Sequence, residues 1–108
     1  MIEVLILRDK AQEITGFKVT GHALFAEAGK DIVCAAVSML TINTLNAIEQ
    51  FLPDEPMIVN IDRDKGFIEA RLHKKPTERS ELLLRTFHLG MVSIEEQYGR
   101  KYVKVVEG

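Results

Sequence analysis

The chain holds 108 residues, 46% of them hydrophobic and 28% charged, with a net charge of −2. That balance predicts one soluble domain over residues 1–108 and excludes the strongly basic footprint of a dedicated nucleic-acid binder. The single cysteine excludes an intramolecular disulfide framework and fits a reducing cytoplasm.

Ile2 to Leu7 reads as a first strand, too short and too soon interrupted by charge to be a signal segment. Asp9-Lys10-Ala11-Gln12-Glu13 reads as a hairpin connection, and Ile14 to Thr20 as the returning strand, with Phe17 and Val19 alternating against Lys18 and Thr20. Gly21 to Lys30, with glycines at 21 and 29, reads as a loop. Asp31 is a suitable N-cap, which places Cys34 near N3 of a helix running to about Phe51 and stopped by Pro53. The apolar residues of this helix occur almost all round, so it is expected to be buried centrally or to lie in a subunit interface. Its Ser, Thr, Asn, Glu and Gln residues suit a packed helix better than a membrane span.

Met57 to Asp62 and Phe67 to Leu72 predict a second hairpin around Arg63-Asp64-Lys65-Gly66. Thr77 is the expected N-cap of a second helix whose inward stripe is Leu84, Phe87, Met91, Ile94 and Tyr98, with Gly99 at its end. Tyr102 to Val106 closes the chain as a strand. The order ββαββαβ predicts an α+β fold, two helices packed on a mostly antiparallel five-stranded sheet.

Cys34 and His22 are the residues that could carry chemistry. A thiolate is the reactive form of cysteine, and a helix N-terminus favours it. An imidazole can act as its base, with a carboxylate such as Asp31 orienting the ring or capping the helix. Backbone N–H groups at the helix start, or in the Gly21 loop, could serve as an oxyanion hole. Ser38 falls one turn after Cys34 on the same face and could support the site. The competing reading is a small core cysteine, because unoxidised cysteines are among the most buried residues. His22, Asp31 and Cys34 lack the paired spacing of a zinc site, so no metal is expected. The basic run Arg71, His73, Lys74, Lys75 and Arg79 lacks interleaved aromatics and is offset by Glu78 and Glu81, which reads as a solvated loop.

The segments Gly21-His22-Ala23 and Gly29-Lys30-Asp31-Ile32-Val33-Cys34-Ala35-Ala36-Val37-Ser38 resemble the bacterial ribosomal-processing cysteine proteases, the Prp or YsxB-like family. The likeness extends over essentially the whole chain. It implies a cytoplasmic homodimeric endopeptidase without a cofactor. Its substrate would be the precursor of a large-subunit ribosomal protein, the twenty-seventh of the bacterial series, from which it removes an N-terminal extension. Carried over, Cys34 is the nucleophile and His22 the base, with Asp31, Gly21 and Ser38 supporting them. The resemblance also implies that the loop after His22 orders around substrate, which its small-residue composition permits. The alternative class is a non-catalytic, dimeric, ribosome-associated binding module with a structural cysteine.

Overall fold

A computed structural model describes residues 1–21 and 32–108. The expectations for His22, for the loop beyond Gly21 and for the Asp31 cap therefore lie outside the described residues. The elements are β1 (Ile2–Arg8), β2 (Ile14–Thr20), α1 (Ile32–Phe51), β3 (Met57–Asp62), β4 (Phe67–Leu72), α2 (Glu78–Tyr98) and β5 (Val103–Glu107). The sequence places the last strand one residue early.

The strands form one sheet in the order β3-β4-β2-β1-β5. The two hairpins meet through an antiparallel β2–β4 pairing, while β5 returns to pair parallel with β1. The period-2 alternation then assigns the faces. Ile2, Val4, Ile6, Phe17, Val19, Ile68, Ala70 and Val103 point into the core beneath the helices. Glu3, Lys18, Glu69 and Arg71 occupy the other face, where Lys18 Nζ lies 5.0 Å from the Phe67 ring centre.

Helix α2 closes the core as its pattern predicts. Leu84, Phe87 and Met91 are fully buried, and the Phe87 ring stacks on Phe17 with centroids 4.0 Å apart. Thr77 caps its start in a reciprocal box with Ser80. The Gly99 N–H donates to Glu95 O at its end.

Helix α1 departs from central burial. Val33, Cys34, Val37, Thr41, Thr44 and Ile48 are buried, but Ile32, Met39 and Ile42 stand out from the opposite face. A helix laid on one side of a single sheet can cover only the stripe that faces it, whatever its other faces carry. By length and hydropathy α1 could cross a membrane. Asn43, Asn46, Glu49 and Gln50 are nevertheless exposed on its outer side, where hydrocarbon would penalise them.

The direction of α1 fixes what lies near Cys34. Leu45, Ile48 and Leu52 line a groove with Met57 and Val59, so the C-terminal half of α1 lies beside the start of β3. Its N-terminal half therefore lies toward the other end of the sheet, where β2 finishes at Thr20 and β4 begins at Phe67. Twenty residues span about 30 Å at 1.5 Å each, more than the length of the strands beneath.

Candidate active site

Cys34 is the third residue of α1 and 9% exposed, in the core cluster with Val33 and Val37. In the first turn of a helix, N–H groups have no carbonyl of the same helix to meet, and the dipole presents its positive end there. Both effects favour a thiolate over a thiol. Ser38 is half-buried one turn further on, as its spacing predicts.

Gly21 directly follows β2, on the same side of the molecule. Its φ is +129°, and a Cβ added there would stand 2.9 Å from the Met1 carbonyl oxygen and 3.1 Å from Ile2 Cα. Both neighbours are backbone, so a larger residue forces the strands apart. The Gly21 N–H donates to Gly66 O at 2.9 Å, tying the chain to the β3–β4 turn one residue before His22. That turn is itself held by Lys65 N donating to Asp62 Oδ1 at 3.1 Å, with Gly66 at φ +63°. The sequence marks Gly66 only as a turn residue. Its carbonyl gains a partner once β2 and β4 pair with Thr20 opposite Phe67.

The other two histidines are placed away from Cys34. His73 follows β4, and its N–H donates to Pro56 O, at the end of the sheet beside the C-terminus of α1. His88 Nε2 lies 3.7 Å from Glu107 Oε1, which also meets Arg8 at the far end of β1. Gly21 packs instead on the start of β1, at Met1 and Ile2. The third histidine, His22, comes two residues after β2 in the sequence and lies outside the described residues. An open groove of about 450 Å³ lined by Arg8, Ile14, Leu82, Arg85 and Leu89 lies at the His88 end and is remote from the thiol. Among the described residues no three His, Cys, Asp or Glu side chains gather as metal ligands.

A family model for the cysteine protease Prp matches residues 1–104. The chain belongs to the Prp family. It is therefore a cysteine protease, a hydrolase of the ribosomal-processing group. It is 31% identical over 102 residues to the ribosomal processing cysteine protease Prp of Bacillus subtilis (strain 168), covering 91% of this chain and 90% of that protein. With the Staphylococcus aureus (strain Mu50) member of the same name it shares 33% over 98 residues, covering 91% and 92%. Among solved Prp structures, that of the essential S. aureus protease with a covalently linked product peptide superposes with a TM-score of 0.87 at 30% identity, over 100% of both chains. SMU.848 from Streptococcus mutans superposes with a TM-score of 0.80 at 33% identity, over 100% of this chain and 99% of that one.

Proposed function

We propose that Cys34 is the nucleophile and His22 the general base of an endopeptidase that removes the N-terminal extension of a large-subunit ribosomal protein, the twenty-seventh of the bacterial series. One observation carries the assignment of the nucleophile: a cysteine protease needs a thiol, and this chain has one cysteine, at the start of a helix. His22 as the base rests on the family resemblance, and the placement of His73 and His88 at the opposite end of the sheet is consistent with it. The substrate rests on the resemblance and on the ribosomal-processing relatives. It is also consistent with the S. aureus protease, whose structure has been solved in complex with a substrate peptide.

In this reading His22 takes the proton from Cys34 Sγ, and the thiolate attacks the scissile carbonyl carbon. The first N–H groups of α1 hold the resulting oxyanion. As the C–N bond breaks, His22 returns the proton to the leaving amine, which leaves a thioester on Cys34. Water activated by His22 then hydrolyses that thioester and restores the thiol. Asp31 orients His22 or caps α1, Gly21 sets the course of the chain into His22, and Ser38 supports the thiol from one turn below. No step requires a metal or a cofactor. The enzyme would work in the cytoplasm, where a single thiol stays reduced.

The alternative, a binding module with a structural cysteine, draws on the burial of Cys34. Alkylation by iodoacetamide across pH separates the two. A thiol paired with His22 reacts in the native chain with an inflection below the ordinary cysteine value of about 8.5, and His22→Ala moves that inflection upward. A core cysteine stays protected until the chain unfolds, and that result would overturn the assignment.

A further inference from the structure

The two edges of the sheet are finished differently. On β5, the Val105 N–H donates to Glu95 Oε2 at 2.7 Å, so a side chain from α2 caps that edge. On β3 nothing comparable is present among the described residues. The strand pairs with β4 from Met57 to Asp62 without a register shift. Pro56 O accepts from His73 N, and this sets the alternation. The main-chain groups of Ile58, Asn60 and Asp62 face β4, while those of Met57, Val59 and Ile61 face outward.

Natural edges are usually blunted by a charge, a proline or a bulge. On β3 a proline and a charge stand only at the two ends, at Pro56 just before the strand and at Asp62, its last residue. Met57 to Ile61 between them has neither, and Val59 and Ile61 are 41% and 56% exposed. Beside this edge runs a groove of about 370 Å³ between β3 and the C-terminal half of α1. Leu45, Ile48, Leu52, Met57 and Val59 line it, and among the described residues Glu49 is its one ionisable lining residue. Because α1 and β3 run in opposite directions, the edge leads from this groove toward the hairpin that holds Gly21, and so toward the end of α1 that carries Cys34.

We propose that the open edge of β3 docks an extended segment of the polypeptide substrate as an added strand, its alternate side chains seated in the groove against α1. The proposal rests on the protease reading and names where the substrate lies beyond the scissile bond. Main-chain hydrogen bonds from Val59 and Ile61 supply affinity, and the apolar groove selects side chains. The chemistry favours a substrate segment carrying apolar residues with lysine or arginine. The groove is apolar with a carboxylate at Glu49, and a protein destined to pack against RNA is rich in basic residues. A strand laid here also runs toward the nucleophile, which an unrelated partner has no need to do.

Outward-facing amides permit a clean test, because proline at 59 or 61 deletes a donor to the added strand while leaving the β3–β4 ladder intact. The probe is a synthetic peptide spanning the precursor's N-terminal extension and cleavage site, compared with one trimmed to the residues flanking the scissile bond. For the long peptide, Val59→Pro should raise KM about threefold to tenfold, the scale of one lost hydrogen bond, with kcat unchanged. Val59→Thr keeps the amide and changes only the groove lining, so it should raise KM less than Val59→Pro does, and the trimmed peptide should not distinguish the variants. Ile61→Pro serves as the second variant should Val59→Pro fail to fold by circular dichroism. Fluorescence anisotropy of the long peptide on the uncleaving Cys34→Ala chain should show the same loss of affinity. Folded proline variants with parental KM and affinity would overturn the proposal, as would a change confined to the monomer–dimer equilibrium. A parent chain that binds the long peptide through Val59 yet cleaves nothing sinks the protease reading and leaves the docking edge standing.

Discussion

At the scale of single residues, the site depends on positions that only certain side chains can occupy. Gly21 is one: with a φ of +129° and the Met1 carbonyl oxygen 2.9 Å from where a Cβ would stand, it admits no side chain without displacing backbone. Gly21→Ala is therefore expected to lower processing at least tenfold by shifting the chain that enters His22, and to cost about 1–3 kcal/mol of stability. Steady-state kinetics and urea unfolding of the same variant check both. A parental kcat would remove Gly21 from the site. Much of this is legible in the sequence. Cys34 is recognisable as a single cysteine at a helix start, and Gly21 from the segment it shares with His22. The role of the Gly66 carbonyl is not, because its partner exists only through the register of β2 on β4.

At the scale of elements, α2 shows how a local signal acquires a long-range partner. Thr77 reads as an N-cap from Pro76 and Glu78 alone. In the fold its hydroxyl also lies 2.7 and 2.8 Å from the two carboxylate oxygens of Glu55, a buried residue from the turn after α1. Thr77→Val keeps the shape but removes both the cap and the hydroxyl that donates to that carboxylate, leaving it Arg79 Nη2 at 3.7 Å. It should cost about 1–3 kcal/mol in urea unfolding, while Thr77→Ser should stay near the parent. Equal losses in the two variants would contradict this account of the cap. The inward stripe of α2 is readable because its period is regular. Helix α1 is harder, since apolar residues on every face do not say which face meets the sheet. The buried side emerges only when Val37, Thr41, Thr44 and Ile48 settle on the core.

At the scale of the whole molecule, the outer face of α1 leaves a continuous uncharged stripe. Ile32, Ala35, Met39 and Ile42 recur there at helical spacing, and Ile32 and Met39 are 65% and 66% exposed. A second copy laid across a two-fold axis would bury that stripe against itself, in line with the homodimer that the family resemblance implies. Sedimentation should show a dimer at micromolar concentration, and Met39→Glu should shift it to monomer. A monomeric parent would contradict the proposal. The order of elements and the pairing within each hairpin follow from alternation and turn chemistry, whereas the β2–β4 contact that joins the hairpins and the parallel return of β5 beside β1 have no local signal.

The central claim is that Cys34 and His22 together cleave one precursor. The most direct measurement is digestion of the purified ribosomal-protein precursor, with intact-mass spectrometry of the product. The parent chain should remove a single N-terminal segment at one bond. Cys34→Ser and His22→Ala, folded normally, should leave the precursor whole. Processing at the parental rate by either variant would contradict the account.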